Sequence, residues 1–139
     1  MYEYKATVKR VIDGDSIVLD IDLGFYIAMN ETKIRLYGLD TPEMNSDDPL
    51  LRLQAVLATR YLYDNLPVGS KVIIKTILDK REKYGRLLAT IFTKEGLNIN
   101  EGLLENKLAI SYKDLTREEQ MLKHYENQQY LIEKGFIVP

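Results

Sequence analysis

The run Arg35-Leu36-Tyr37-Gly38-Leu39-Asp40-Thr41-Pro42-Glu43 sets one guanidinium and two carboxylates into what otherwise looks like the end of a buried strand. Ile34, Leu36, Tyr37 and Leu39 supply its apolar and aromatic character. Pro42 ends it, because proline has no N–H to give to a ladder. Proline also pushes the preceding Thr41 into an extended conformation, from which its carbonyl can project sideways. Carboxylate and carbonyl oxygens gathered in this way suit a hard cation such as Ca²⁺. A fixed arginine beside them suits a phosphate, which its fork grips with two hydrogen bonds.

Strict alternation would send Arg35 and Asp40 to opposite faces of a strand. A glycine inside a strand often marks a bulge, and a bulge resets the register by one. A bulge at or beside Gly38 is therefore expected, bringing Arg35, Asp40 and Glu43 to one face.

Upstream, residues 3–12 alternate and are rich in β-formers, and residues 16–23 do the same. Asp13-Gly14-Asp15 between them is a strong hairpin signal. Residues 24–30 read as a loop or irregular extension whose Phe25, Tyr26 and Ile27 pack back on the body, and residues 31–39 as the third strand. Downstream the period changes. Leu50, Leu53, Leu57 and Tyr61 share one face of a helix over 50–65, stopped by Pro67-Val68-Gly69. Strands follow at 70–78 and 86–93, then a short helix at 99–106 opened by Asn98 and Glu101. Thr116 and Glu119 form a second capping box, and Leu115, Leu122, Tyr125, Gln129 and Ile132 track one face of a final helix. Gly135 stops it.

The expected fold is α+β: a five-stranded OB-type Greek-key β-barrel with three helices, one domain over residues 1–139. The 139 residues suffice for a real core. There is no cysteine, so disulfides and thiolate metal sites are excluded. The single histidine, His124, excludes a histidine-cluster site and, lying on the last helix, is expected to be irrelevant to chemistry. Any metal must be bound by oxygen. No apolar run is long enough to span a membrane, and residues 1–10 alternate like a strand rather than a signal peptide. A cytoplasmic monomer without membrane contact is expected.

The net charge of −2 is not that of a simple nucleic-acid binder. Its distribution is uneven. Between residues 71 and 86, six basic residues (Lys71, Lys75, Lys80, Arg81, Lys83, Arg86) meet two acidic ones, a local +4 on a body of −6. Such a strip attracts a polyanion, and it equally describes lysines guarding an edge strand.

Three blocks, Ile12-Asp13-Gly14-Asp15-Ser16, Arg35 through Glu43, and Lys83-Tyr84-Gly85-Arg86, together resemble the signature of the staphylococcal nuclease family. The resemblance extends over roughly residues 5–134. It implies a calcium-dependent endonuclease that hydrolyses DNA and RNA and leaves 3′-phosphate ends. By position, Asp15 and Asp40 match calcium carboxylates and the Thr41 carbonyl a further ligand. Glu43 matches the general base, and Arg35 and Arg86 the phosphate-binding arginines. Lys83, Tyr84 and Tyr112 match positions lining the nucleotide pocket. Departures from the family pattern are Glu82 for aspartate, Ser16 for a common threonine, Ile110 for a pocket aromatic, and an acidic loop at Asp47 and Asp48. The competing class is a nucleic-acid-binding module that kept this fold and lost turnover. Retention of all five acidic and arginine positions favours the enzyme.

Overall fold

The computed structural model describes residues 2–81 and 85–139, and of residues 78–81 the backbone only. Strands β1 (Tyr2–Asp13), β2 (Ser16–Gly24) and β3 (Ile27–Leu36) form an antiparallel meander. β4 (Leu39–Asp40) follows, then α1 (Pro49–Asn65), β5 (Lys71–Arg81), β6 (Leu87–Thr93), α2 (Ile99–Glu105), β7 (Ile110–Ser111) and α3 (Arg117–Glu133). Five strands close a barrel in the order β1-β2-β3-β6-β5. β3 and β6 run parallel and β5 pairs with β1 to complete the circle. With its three helices this is the OB-type α+β architecture expected from the sequence.

Alternation fills the barrel. Ala6 and Val8 of β1, Ile17, Leu19 and Ile21 of β2, and Ile34 and Leu36 of β3 point inward with Val72, Ile74, Ala89 and Ile91. A register shift between Val8 and Arg10 lets Val8 and Val11 both face the core while Lys9 and Arg10 stay outside. One end of the core is closed by Leu62 and Leu66 at the end of α1 and by Ile99 and Leu103 of α2.

Four local expectations are corrected. First, no bulge sits at Gly38. The strand ends at Leu36, Tyr37 and Gly38 make a turn with Gly38 at φ +83°, and Leu39–Asp40 restarts as β4 against β7. A turn into a second small sheet re-aims Asp40 more completely than a bulge does, and only glycine takes that φ without strain. Second, residues 24–30 are not a loop. β3 begins at Ile27, and the hairpin turn is Phe25-Tyr26, both at positive φ and both exposed. Third, α1 buries Leu51, Gln54, Ala55, Ala58, Thr59 and Leu62, while Leu53 is exposed. Its small residues let it approach the β1–β2 turn: a Cβ on Gly14 would lie 2.7 Å from the Ala58 Cβ. Gly14 is thus required for space, and not for a left-handed φ. Fourth, α3 buries His124, Gln128 and Leu131, leaving Leu122 exposed. That face is bonded to its neighbours through His124 to Asp40, the His124 carbonyl to Gln54, and Gln128 to Gln54.

Two caps are as the sequence predicts: Asn98 accepts from the Glu101 N–H, and Thr116 and Glu119 form a reciprocal capping box. A third, Asp48 accepting from the Leu50 N–H at the start of α1, lies in the stretch read as an acidic loop. Among the described residues no helix is long and apolar enough to cross a membrane.

Candidate active site

The β1–β2 turn and the end of β3 meet because Ser16 pairs with Arg35 in the ladder. The Leu36 N–H donates to the Asp15 carbonyl at 2.9 Å, fixing the backbone on which the Asp15 side chain stands. The Tyr37–Gly38 turn is held from below. The Tyr37 N–H donates to the Ala89 carbonyl at 2.8 Å. Buried Asn100, near the start of α2, donates to the Tyr37 and Ala89 carbonyls at 3.1 and 3.2 Å and accepts from the Ile91 N–H. Asp40 is then set by its pairing with Ile110.

Three of the residues singled out in the sequence converge on one group. The Arg35 Nη2 lies 3.4 Å from Asp15 Oδ2 and 3.3 Å from Asp40 Oδ1, and it donates to the Leu39 carbonyl at 3.4 Å. Arg86 joins through Ser16: its Nη1 donates to the Ser16 hydroxyl at 2.9 Å, and that hydroxyl donates to Asp15 Oδ1 at 3.2 Å. On the far side, His124 Nε2 lies 2.9 Å from Asp40 Oδ2. A chain of hydrogen bonds and ion pairs thus runs Arg86–Ser16–Asp15–Arg35–Asp40–His124.

These groups stand in and under a cleft of about 570 Å³. Arg35, Asp40, Thr41, Glu43 and Arg86 line it, with His124 on the α3 side. Glu43 is exposed in its wall, while Thr41 is buried against the Gly14 position. Tyr112 is half-buried and is not among the cleft's lining residues. Lys83 and Tyr84 lie outside the described residues, as do the side chains of Lys80 and Arg81 in the basic strip.

Asp15 is 7% exposed, and its pKa is pushed up from 3.8 to about 7. Burial is the main cause; Arg35 opposes it, and Asp13 and Asp40 reinforce it. Asp15 and Asp40 bring two carboxylates to one place and share the Arg35 guanidinium there. Carboxylate oxygens so gathered are the ligands a hard cation takes, so the donor set fits such an ion. Among the described residues no three carboxylate or imidazole side chains form a metal cluster by themselves. An ion here would therefore draw on main-chain carbonyl and solvent oxygens as well.

Two residues stand in the site to which the sequence reading gives no role there. Ser16, named only within the first signature block and as a replacement for threonine, is 1% exposed and bridges Asp15 to Arg86; His124, expected to be irrelevant to chemistry, lies against Asp40. His124 carries no hydropathy signal, since the leucine-based face of α3 points elsewhere. The spacing of His124, Gln128 and Leu131 at i, i+4 and i+7 was the available sign of the buried face.

Residues 33–135 match the family described as Staphylococcal nuclease homologue. Endonuclease YhcR of Bacillus subtilis (strain 168) is 34% identical over 116 residues, covering 79% of this chain and 9% of that protein. Thermonuclease of Staphylococcus intermedius is 32% identical over 85 residues, 61% of this chain and 46% of that protein. An uncharacterized endonuclease of Escherichia coli O157:H7 is 29% identical over 108 residues, 76% of this chain and 59% of that protein. The chain spans less than two thirds of the length of each of these relatives. With the family match running from β3 to the end of α3, on a closed OB-type barrel, the chain belongs to the staphylococcal nuclease homologue family.

Proposed function

We propose that this chain is a Ca²⁺-dependent phosphodiesterase that hydrolyses DNA or RNA internally and leaves 3′-phosphate ends. One observation carries the proposal: Arg35 binds Asp15 and Asp40 together, and Arg86 reaches Asp15 through Ser16, at a cleft that Glu43 also lines. Nuclease names among the relatives support it.

Asp15, Asp40 and the Thr41 carbonyl are the groups that would hold the ion. When bound, a hard divalent cation polarises a phosphoryl oxygen and lowers the charge that repels a nucleophile. The remaining work belongs to the chain. Glu43, exposed in the cleft wall, takes a proton from the attacking water. The water oxygen bonds to phosphorus, the bond from phosphorus to the 5′ oxygen breaks, and that oxygen leaves as a hydroxyl after taking up a proton. Arg35 and Arg86 stand where negative charge grows on the phosphate. Donors held in place before the reaction stabilise that charge without reorganising. Tyr112, Lys83 and Tyr84 are proposed to contact the nucleotide.

The test is digestion of labelled single-stranded DNA, duplex DNA and RNA with Ca²⁺ and then with EDTA. Cleavage that needs Ca²⁺ and yields 3′-phosphate ends is the expected result. Retarded but uncut strands with Ca²⁺ present would instead identify a binding module.

A further inference from the structure

His124 comes from α3, far in sequence from every block that supplies the rest of the cleft. Its ring is 4% exposed, and Nε2 lies 2.9 Å from Asp40 Oδ2. An ionised carboxylate can only accept, so Nε2 carries the hydrogen. Nδ1 is buried and has no hydrogen-bond partner among the described residues. The ring thus meets the rest of the site through Nε2 alone, at Asp40.

The backbone of His124 is itself pinned. Gln54 of α1 donates to the His124 carbonyl at 3.0 Å, and Gln128 donates to Gln54 Oε1 at 2.8 Å. Both glutamines are buried. This face of α3 is polar where leucine would pack more simply, while Leu122 and Met121 of the same helix are left exposed. The rotation of α3 is set to bring the imidazole inward.

We infer that His124 is a positioning residue for Asp40. Arg35 holds Oδ1 and His124 holds Oδ2, so the plane of the carboxylate is fixed at both ends. Each oxygen keeps a further lone pair with which to meet a cation. Partners of this kind orient a ligating carboxylate before the ion arrives. The inference rests on the metal-site role proposed above for Asp40.

The experiment compares the parent protein with His124→Asn and His124→Gln. The Gln amide nitrogen reaches the place of Nε2, and the Asn amide stops short of it. Ca²⁺ affinity is measured by calorimetry, thermal melting in EDTA reports the fold, and cleavage is followed against Ca²⁺ and against substrate. His124→Asn is expected to bind Ca²⁺ about 10-fold or more weakly, the usual cost of losing such a partner. It should need correspondingly more Ca²⁺ for cleavage, with KM for the strand unchanged once Ca²⁺ saturates. His124→Gln should recover most of the affinity. If both variants bind Ca²⁺ as the parent does, the positioning role is overturned while the nuclease proposal stands. The positioning role is equally overturned if His124→Asn melts earlier in EDTA but keeps its Ca²⁺ affinity. A parent protein that takes up no Ca²⁺ overturns both.

Discussion

The Ser16 hydroxyl accepts a 2.9 Å hydrogen bond from the Arg86 guanidinium, joining residues 70 positions apart. The same hydroxyl donates to Asp15, so one buried oxygen sets the separation between an arginine and a carboxylate. Ser16→Ala removes that link between Arg86 and Asp15. A hydrogen bond to a charged group contributes about 1.5–3 kcal/mol. Cleavage at saturating Ca²⁺ is expected to fall roughly 10- to 100-fold if that energy is felt in the transition state. Ser16→Thr keeps the hydroxyl and should keep most of the activity. Steady-state assays of both variants decide the matter: an alanine variant with parental turnover would show that Arg86 is held by other means.

The Asp15 carboxyl gives the metal-free protein a pH dependence of known sign. Its pKa is pushed from 3.8 to about 7, chiefly by burial. Between those values the folded state holds a proton that the unfolded state has released, so this group's contribution to stability falls as pH rises. Melting in EDTA should show that loss between about pH 4 and pH 7 on top of the other groups' behaviour. Asp15→Asn removes the term. It should melt higher than the parent in EDTA at pH 8, and at that pH it should gain little from added Ca²⁺. An Asn variant destabilised at pH 8 in EDTA would mean that the ionised carboxylate is already well compensated by Arg35.

Glu43 and Arg86 are each tested by their effect on kcat. Glu43→Gln keeps the shape of the side chain and removes its ability to take a proton. General-base assistance contributes about 10²- to 10⁴-fold, and the loss should fall on kcat with Ca²⁺ affinity unchanged. Arg86→Ala should lower kcat by about 10²-fold or more, as expected for a donor aimed at developing charge. Undiminished cleavage by Glu43→Gln would remove the base assignment from this residue.

Much of this site was legible in sequence because its parts lie in short runs with strong local rules. The turn after β1, the Pro42 stop and the caps at Asn98 and Thr116 follow from local backbone and side-chain chemistry. The convergence of Arg35 and Asp40 runs against alternation and is expected from Gly38, although the device there is a turn rather than a bulge. What was not legible depends on partners distant in sequence. The buried faces of α1 and α3 are chosen by Ala58 meeting Gly14, and by Gln54 meeting His124 and Gln128. A hydropathy pattern follows leucines and is blind to such pairs. Phe25 and Tyr26 were expected to pack because they are aromatic, yet the register of β2 and β3 puts them at the turn itself.

That turn supports the last prediction. Phe25 and Tyr26 adopt φ values of 54° and 62°, and the first is 93% exposed. L-residues with a Cβ pay roughly 1–2 kcal/mol each in this region, where Asn and Gly are at ease. Neither ring is buried enough to repay it by packing. Replacing the pair by Asn-Gly should therefore stabilise the protein by about 1–2 kcal/mol, a fraction of the summed strain because the exposed side chains also relax. Pairing of Gly24 with Ile27 should be retained, since Asn-Gly favours the same tight hairpin. The turn lies at the opposite end of β2 from Ser16, so cleavage of short strands should be unchanged. Denaturant melts of the parent and the double variant measure the gain, and a lower midpoint for the variant would show that the aromatic pair contributes contacts beyond the turn.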